Sequence, residues 1–404
     1  MRVLETVQSY FPFQERGGTV FKVRAIARGL AARGYDVTVL TADLGVQNLR
    51  RPGMLFEPCE WGWRFEEDDV ETIFLPTFAR YRSLTINPRV IRFCRASLRR
   101  FDLVHFYGLY DFFGPVISHF CRRQRIPYVL EPMGMHRPIV RNLAVKKIYH
   151  RLFGGPFVGG ARLVIATSEQ EGQELAQGGV DVSKIAIRRN GIETPDALPL
   201  RGEFRRRRRI PEATKIILFL GRIVAKKRPD LLLEAFAGWR EKSNTRQSSV
   251  LIFAGPEEGD GIVSNLKTSA RSLRVSETVV FTGPLYDQEK WQAYRDADVF
   301  VLPSQNENFG NTAAEAAACG TPLVVTNSCG IAPLVGSAGL VVSCVKEELQ
   351  SALARILEDE DFHDQCRTGC FEMARRLSWD DPLAECARLY ERCVSNRVRQ
   401  EALA

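Results

Sequence analysis

The stretch VFVLPSQNENFGNTAAEAAACGTPLVVT, residues 299–326, carries the clearest indication of the fold class. It reads as a buried apolar strand, a polar turn, an alanine-rich helix closed by glycine and proline, and a second apolar strand. Two strands joined by a helix predict a parallel sheet with helices packed on its faces. The turn also carries Glu307 and Glu315, one on either side of an Asn-Phe-Gly-Asn corner. Acids at the carboxyl end of a buried strand raise the question of what they bind.

The same alternation of short apolar strands and amphipathic helices runs through the whole chain. The first half contains RVLETV (2–7) and LVHFYG (103–108), and the second half contains KIILFLGRI (215–223) and SVLIFAGP (249–256). A Pro-rich polar break near 193–211 separates the halves. The pattern therefore predicts an α/β protein of two doubly wound, Rossmann-like domains, whose ligand sites lie at the carboxyl ends of the strands and face a common cleft.

Composition narrows the class of protein. The chain has 404 residues, 45% of them hydrophobic and 26% charged, which is typical of a globular protein with room for two cores. No apolar run approaches the length of a membrane span, and the N-terminus enters a strand pattern without a signal-peptide core. The ten cysteines show no paired ladder, so we interpret them as reduced, small apolar residues. We expect a cytoplasmic location.

The net charge of +8 is unevenly distributed. The region from Arg80 to Arg151 holds 15 Lys and Arg against 3 acids. Such a region favours an anionic partner, either a membrane surface, a phosphorylated substrate or nucleic acid, and a solvated basic face is the alternative. No helix-turn-helix, zinc or RNA-recognition pattern supports nucleic acid. The separate run FRRRRRIPE (204–212) is predicted to be a solvated linker.

In the second half, two loops carry the residues suited to a nucleotide sugar. Arg222 and Lys227 follow a strand and precede a helix, where a diphosphate would meet cations and helix N–H groups. In the other loop, Gly310 permits close backbone approach, and carboxylates there suit vicinal hydroxyls. Taken alone, the first loop is also compatible with a solvated connection, and Glu315 with favourable placement near a helix N-terminus.

These residues carry a resemblance to a known family. The order Gly-Arg…Lys, Gly-Pro and Glu-x7-Glu resembles the family 4 retaining glycosyltransferases, which have the GT-B fold. The matching segments span nearly the whole chain: QERGGTVFKVRAIARGLAARGYDVTVLTA near the start, RNGIE (189–193), LGRIVAKKRPD, IFAGPEEGD, VFTGPL and ENFGNTAAEAAACGTPLVVT. The closing SWDDPLAECARLYERC is similar to the family's terminal helix, which returns to the first domain.

The resemblance implies a role for each matching position. Arg222 and Lys227 would bind the donor diphosphate and stabilise it as leaving group. Glu307 would hold the transferred sugar, together with the backbone of Asn308, Phe309, Gly310 and Asn311; Thr312 belongs to the same donor-binding turn, and Glu315 would hold the ribose. Gly17 and Gly18 would form the first-domain loop over phosphate and acceptor. No metal or other cofactor is expected, because cations and helix ends carry the developing charge.

Two departures from the family pattern leave the transferred sugar open. Met133 stands where many family members have a His, and His136 follows three residues later. His105 lies at the carboxyl end of another strand, so either His is a candidate for contact with sugar or acceptor, with a structural role as the alternative. Asn308 replaces the family's usual Gly or Ser.

The sequence thus predicts three segments: an acceptor-binding domain over 1–195, a nucleotide-sugar-binding domain over 196–376, and a helix over 377–404 that packs on the first domain. The expected activity is metal-independent, retaining transfer of a sugar to a glycan, lipid-linked or other cell-envelope acceptor, as in polysaccharide biosynthesis, with peripheral contact of the basic 80–151 region at the inner membrane face. The alternatives are a non-catalytic nucleotide-sugar binder or another GT-B enzyme such as a sugar-nucleotide epimerase. A nicotinamide dehydrogenase is disfavoured because FQERGGTVFK lacks the GxGxxG fingerprint.

Overall fold

The computed structural model divides the chain into two compact units. It describes residues 1–13, 18–46, 49, 54–81, 84–135, 153–195, 197–243, 248–258 and 261–402. The first unit comprises Met1–Asn190 with Trp379–Ala404, and the second comprises Gly191–Ser378. Each unit carries one main sheet with apolar clusters on both faces, so each forms its own core. Within the described ranges, no helix has the length and apolar character needed to cross a bilayer.

The first unit is built on a nine-stranded sheet in the order β11-β10-β9-β8-β1-β2-β5-β4-β3. Seven of its strands are parallel, and β3 and β4 extend the edge antiparallel. A separate hairpin is formed by β6 and β7. The strands are β1 (Arg2–Val7), β2 (Asp36–Ala42), β3 (Glu57–Cys59), β4 (Gly62–Glu67), β5 (Val70–Leu75), β6 (Ala79–Tyr81), β7 (Leu84–Ile86), β8 (Leu103–Tyr107), β9 (Tyr128–Glu131), β10 (Leu163–Ala166) and β11 (Ile185–Ile187).

Among the described residues of this unit, the helices that precede the second unit in the chain are α1 (Gly18–Ala31), α2 (Arg89–Ser97), α3 (Phe113–Gln124), α4 (Gly155–Gly159) and α5 (Glu169–Gln177). The buried positions of the first helix recur at intervals of three and four residues, which is the periodicity that predicts an amphipathic helix from sequence. The helix ends at Ala31, and the turn after it closes at Gly34, whose φ of 83° suits glycine and whose N–H donates to the Ala31 carbonyl.

The second unit has a six-stranded, wholly parallel sheet in the order β14-β13-β12-β15-β16-β17. Its strands are β12 (Lys215–Leu220), β13 (Ser249–Ala254), β14 (Val279–Gly283), β15 (Val299–Leu302), β16 (Leu323–Thr326) and β17 (Gly339–Val342). Its helices are α6 (Glu203–Arg208), α7 (Pro229–Lys242), α8 (Ile262–Ser272), α9 (Asp287–Asp296), α10 (Asn311–Ala318), α11 (Lys346–Glu358) and α12 (Glu360–Arg375).

The prediction of a solvated linker over 204–212 is wrong. Its arginines form most of α6, and the Phe204 side chain is fully buried in the apolar cluster beneath that helix. Arg205 fixes the helix by donating to the Asp298 carboxylate at 2.9 Å, and its backbone N–H donates to Asp296 at 3.0 Å. One large apolar side chain and two carboxylates outweigh the mutual repulsion of exposed arginines.

The chain ends with α13 (Asp380–Ala402), which belongs to the first unit. Its buried side chains include Leu383, Leu389 and Tyr390, which join the apolar cluster that also contains Val3 and Val23. The terminal helix therefore completes the first unit's core.

Candidate active site

Both sheets reverse their strand order at one point, and a sheet of this kind binds ligands there. In the second unit the switch lies between β12 and β15, which are neighbours in the sheet although two strands separate them in sequence. The loop after β12 carries Arg222 and Lys227, and the loop after β15 carries Glu307 and Gly310. The two loops that the sequence singled out thus flank the switch point.

Lys227 is held in a buried position by the turn after β12. A short 3₁₀ turn over Ala225–Lys227 brings the side chain back toward Gly221, where a Cβ atom would lie only 3.3 Å from the Lys227 Nζ. Gly221 has φ of 150°, so the glycine both allows the turn and leaves room for the ammonium group. Arg222 is about half exposed and donates to Glu258 at 2.8 Å.

Glu307 faces Lys227 directly. Its Oε2 atom lies 2.8 Å from the Lys227 Nζ, and only 18% of the Glu307 side chain is exposed. Burial acts to raise the pKa of Glu307, but Lys227, with Lys226 and Arg222 further away, outweighs burial and lowers the pKa below its ordinary value. Glu307 is therefore an ionised carboxylate at neutral pH, able to accept hydroxyl hydrogen bonds and unable to donate one.

The backbone around Glu307 is fixed by the turn after β16. The Glu307 N–H donates to the Ser328 carbonyl at 3.0 Å, and its carbonyl accepts from the Gly330 N–H at 2.9 Å. The Ile331 N–H donates to the Phe309 carbonyl at 2.6 Å. These bonds hold the Glu307 carboxylate in place because its main chain has little freedom to move.

Gly310 directly precedes the first residue of α10 and has a backbone conformation that favours glycine. It has φ of 113°, and a Cβ atom at this position would lie 2.9 Å from the Ile331 Cγ2. Phe309 is buried with 3% of its surface exposed, so this residue offers a ligand its backbone and not its ring. The first turn of α10, which contains Asn311 and Thr312, points its N–H groups toward the switch point, as the first turn of any helix does along its axis.

Glu315 lies in α10 and is oriented by α9. Lys290 donates to one carboxylate oxygen at 2.8 Å, and the Tyr294 hydroxyl donates to the other at 2.9 Å. Lys290 and Tyr294 are one helical turn apart, which is why both reach the same carboxylate. Each carboxylate oxygen has two acceptor sites, so Glu315 keeps capacity for a further hydroxyl on each. The structure thus groups Lys227 with Glu307, and Glu315 with Lys290 and Tyr294.

In the first unit, the candidate residues lie near the carboxyl ends of the strands. Gly18 is the first residue of α1. Met133 follows β9 with φ of 53°, and its sulfur accepts a hydrogen bond from the Thr19 hydroxyl at 3.8 Å, which ties the two loops together. Gly17 and His136 lie outside the described residues. In the part of the chain that the structure describes, no three His, Cys, Asp or Glu side chains form a group that could hold a metal ion.

His105 is buried inside the first unit. Its Nδ1 atom lies 2.6 Å from the Tyr390 hydroxyl of α13, and its Nε2 atom lies 3.8 Å from the Glu131 carboxylate. Burial, together with the charges of Arg188 and Lys22, lowers its pKa well below the ordinary value, so the ring is neutral. These contacts favour the structural alternative for this residue.

His105 belongs to a buried polar cluster that the sequence reading missed. Glu131, at the end of β9, accepts from Lys22 of α1 and from Arg188, which donates at 2.6 Å; all three are buried. Nearby, the Tyr107 hydroxyl donates to Glu5 at 3.1 Å. The cluster ties the start of α1 to the ends of β9 and β11, and so fixes the loops that carry Gly18 and Met133.

Signals for this cluster exist in the sequence. Lys22 lies four residues before Ile26, on the buried face of its helix. Glu5 lies in the middle of a strand in which every residue after Arg2 is buried. Ionisable side chains at core positions are rare unless they are paired. Their partners come from strands far apart in the chain, which single-sequence patterns do not connect.

Comparisons with known proteins agree with this architecture. Residues 17–191 match the family model of the glycosyl transferase 4-like domain, and residues 201–371 match the model of glycosyl transferases group 1. A D-inositol 3-phosphate glycosyltransferase of Corynebacterium jeikeium is 29% identical over 93% of this chain and 92% of its own length. One from Streptomyces bingchenggensis is 32% identical over 72% of this chain and 66% of its own length.

Solved structures show the same fold. The sucrose-phosphate synthase of Thermosynechococcus elongatus matches with a TM-score of 0.74 at 20% identity, over 98% of this chain and 99% of that chain. Anabaena HepE, solved with UDP and glucose, matches with a TM-score of 0.74 at 18% identity, over 96% of this chain and 99% of that chain. With both family models matched and the GT-B fold shared, this chain belongs to the family 4 glycosyltransferases and is a glycosyltransferase.

Proposed function

We propose that this glycosyltransferase moves a sugar from a nucleoside diphosphate sugar to a glycan, lipid-linked or other cell-envelope acceptor, with retention of anomeric configuration and without a metal ion. The observation that carries the proposal is the Lys227–Glu307 pair at the switch point of the second sheet, 2.8 Å apart. A fixed cation beside an ionised carboxylate suits a ligand that presents phosphate on one side and hydroxyl groups on the other.

Arg222 and Lys227 would bind the donor diphosphate and stabilise the charge that grows on it as the sugar leaves. Arg222 is paired with Glu258 through an exposed contact, and such contacts contribute little to stability. A diphosphate can therefore replace Glu258 as the partner of Arg222 at small cost. Lys227 is buried and already oriented, so it loses little freedom when it binds phosphate.

Glu307 and Glu315 would accept hydroxyl groups of the transferred sugar and of the ribose. The lowered pKa of Glu307 keeps it ionised, and its fixed backbone limits the positions its oxygens can reach. Glu315 is oriented by two donors from α9 and retains acceptor capacity. Solved structures of similar proteins support a nucleotide sugar: Anabaena HepE was solved with UDP-glucose, and the catalytic domain of starch synthase IV of Arabidopsis thaliana with ADP and acarbose. They leave the base of this chain's donor open.

The acceptor would carry negative charge or a lipid. The D-inositol 3-phosphate glycosyltransferases among the relatives are named for a phosphorylated acceptor. WaaG, whose structure is similar, is a glycosyltransferase involved in lipopolysaccharide biosynthesis. The basic region of the first unit, with α2 free of acidic residues, suits either kind of acceptor. The segment 136–152, which holds the rest of the predicted basic surface, lies outside the described residues.

Retention would follow from chemistry on a single face of the sugar, in which the departing phosphate takes the proton of the acceptor hydroxyl. Glu307 is held by Lys227 and is proposed as a positioning carboxylate, not as a nucleophile. No step in this scheme requires a metal ion, because Arg222 and Lys227 supply the positive charge.

A thermal-shift screen against UDP-, GDP-, ADP- and dTDP-sugars tests the donor site. One nucleotide class should raise the melting temperature, and Glu315→Ala should weaken that donor roughly tenfold to a hundredfold, because hydrogen bonds to a charged group are lost. Glu241→Ala, which alters an exposed acid at the end of α7, should behave as the parent. A donor shift that survives in Glu315→Ala would contradict the assigned ribose contact.

Turnover then separates the proposal from its alternatives. A transferase releases nucleoside diphosphate when acceptor is present, an epimerase converts the donor without release, and a binder does neither. NMR of the product should show the anomeric configuration of the donor, and EDTA should leave the rate unchanged. Inversion would remove the retaining part of the proposal, and loss of activity restored by a divalent metal would remove the metal-independent part.

A further inference from the structure

The hairpin of β6 and β7 presents an apolar face to solvent. On this face Tyr81 exposes 68% of its surface, and Leu84 and Ile86 expose more than a third each; Phe78, which directly precedes β6, exposes 83%. The register pairs Tyr81 with Leu84 and places Ile86 two residues along on the same face. Large apolar side chains gathered on one exposed face of a ribbon mark an interaction surface.

The opposite face of the hairpin is attached to the first unit. Thr85 points to that side, is 1% exposed, and accepts a hydrogen bond from the Gln8 side chain at 3.4 Å. Because side chains alternate across a strand, attachment through Thr85 obliges its neighbours Leu84 and Ile86 to point outward. The exposed apolar face thus follows from the attachment of the opposite face through Thr85.

The base of the hairpin is anchored by Asn87. This residue is fully buried, and its Nδ2 atom lies within 3.1 Å of the Leu75 carbonyl, the Pro76 carbonyl and the Thr77 hydroxyl. The Thr77 hydroxyl in turn donates to the Asp43 carbonyl at 2.6 Å. Asp43 and Leu75 stand at the carboxyl ends of β2 and β5, so the hairpin projects from the edge of the sheet that also carries Gly18.

The charged residues around the hairpin indicate which kind of partner this surface binds. Residues 78–101 contain seven arginines and no acidic residue. The arginines of this stretch that the structure describes are exposed: Arg80, Arg89, Arg92, Arg95, Arg99 and Arg100. Arg92 has a loose contact of 3.4 Å with Glu60, and both side chains are mostly exposed. A second copy of this chain would bring two arginine-rich faces together in a symmetric contact, which the repulsion of like charges opposes.

We propose that the exposed face of the hairpin, which carries Tyr81, inserts together with the exposed Phe78 directly before β6 into the surface of a membrane that contains anionic lipids. Aromatic side chains favour the interface between headgroups and acyl chains, and each nearby arginine adds attraction to acidic headgroups. The inference rests on the proposed membrane-linked acceptor and names the element that makes the contact. It places the sheet edge of the first unit that carries Gly18 next to the lipid surface.

Sedimentation with vesicles tests the proposal. The full chain is mixed with vesicles of equal phosphatidylglycerol and phosphatidylcholine, and with vesicles of phosphatidylcholine alone. The parent should bind the anionic vesicles, and a Phe78→Ser, Tyr81→Ser double variant should bind them at least about tenfold more weakly, because the two side chains expose on the order of 300 Å². The control is Val182→Ser, Leu200→Ser, which removes side chains that are 70% and 73% exposed elsewhere; it should bind as the parent does.

Other outcomes overturn the inference. Equal binding by the hairpin variant and the parent would show that the basic residues act without the hairpin, and absence of binding by the parent would remove the membrane contact altogether. Weaker transfer by the hairpin variant to an acceptor in vesicle-free solution would assign the hairpin to the acceptor itself. Melting temperatures and donor shifts, measured in parallel, distinguish these results from misfolding and from failure of the proposed donor site, since neither Phe78 nor Tyr81 lies in the second unit.

Discussion

Replacing Glu5 by Gln should remove much of the pH dependence of the first unit's stability between pH 6 and pH 8. Glu5 lies in the middle of β1 with no exposed surface. Burial raises its pKa to about 8, against the lowering effect of the Tyr107 hydrogen bond and of the charge of Arg188. The carboxyl is thus mostly protonated in the folded chain at neutral pH and ionised in the unfolded chain.

The sign and size follow from the two pKa values. Below pH 4.5 the carboxyl is protonated in both states, and its favourable contribution is fully present. As the pH rises to 8, the unfolded chain gains ionisation free energy that the folded chain lacks, so stability is lost across this window and then levels off. The shift from 4.5 to about 8 corresponds to about 5 kcal/mol in total, of which about 2 kcal/mol falls between pH 6 and pH 8.

The Gln variant keeps the geometry and lacks the titration. Its amide oxygen can accept from Tyr107, as the Glu5 Oε1 does at 3.1 Å. Its amide nitrogen would occupy the site of Oε2, which has no hydrogen-bond partner among the described residues, at a cost of about 1 to 3 kcal/mol. That cost is the same at every pH, so the informative quantity is the slope with pH and not the absolute stability.

Urea unfolding at intervals from pH 6 to pH 8 measures this slope. The parent should lose about 2 kcal/mol relative to Glu5→Gln across the range. Titration of His105 and other groups is common to both proteins and cancels in the difference. Glu66→Gln, which changes an exposed acid of β4, should follow the parent. Parallel curves for the parent and Glu5→Gln would refute the reasoning, because they would mean that the Glu5 carboxyl has the same protonation in both states.

Two further substitutions test the frame of the site. Gly310→Ala should destabilise the second unit by about 1 to 3 kcal/mol in thermal unfolding, because its φ is 113° and the new Cβ would lie 2.9 Å from Ile331. The control Gly179→Ala, with φ of 88° and open space around it, should cost less. Equal effects of the two substitutions would show that backbone strain alone, and not the contact with Ile331, determines the loss of stability. Arg188→Met should destabilise the first unit by about 3 to 5 kcal/mol, because it leaves part of the charge of the buried Glu131 carboxylate uncompensated. The control Arg189→Met, at an exposed neighbouring position, should change the stability by less than about 0.5 kcal/mol. A near-neutral result for Arg188→Met would contradict the ion pairing seen in the structure.

The strands and the ends of helices were readable from the sequence. RVLETV coincides with β1 and KIILFLGRI contains β12, because strands buried on both faces of a parallel sheet are continuous apolar runs. Gly34, with its positive φ, closes the turn after the first helix, as a glycine after the last periodic residue of a helix commonly does. These features depend on local periodicity and backbone conformation, which a single sequence contains.

Contacts between distant segments were not readable. The pairing of Lys22 with Glu131 spans 109 positions, and that of Glu131 with Arg188 spans 57, so no local pattern joins them. The arginine run after Phe204 was misread because one buried aromatic side chain outweighed the composition around it. The hairpin of β6 and β7 was missed because its outward face is apolar and its inward residue is Thr85, the reverse of the usual arrangement.

For the candidate site, the sequence and the resemblance named the loops, and the structure supplied the arrangement around them. The sequence analysis assigned Glu307 to the sugar and Lys227 to the phosphate, whereas the structure pairs the two side chains with each other. The donors of Glu315 were not foreseen, since Lys290 and Tyr294 come from a helix whose position depends on the packing of the sheet.

We propose that the residues at the switch point of the second sheet bind the nucleotide donor during sugar transfer, and the turnover of Lys227→Met measures their contribution. Release of nucleoside diphosphate in the presence of acceptor should fall about a hundredfold to a thousandfold, because a fixed cation at the leaving group is lost. Lys242→Met, at the exposed end of α7, should retain the parent rate. An unchanged rate for Lys227→Met, in a protein that still folds, would contradict the account.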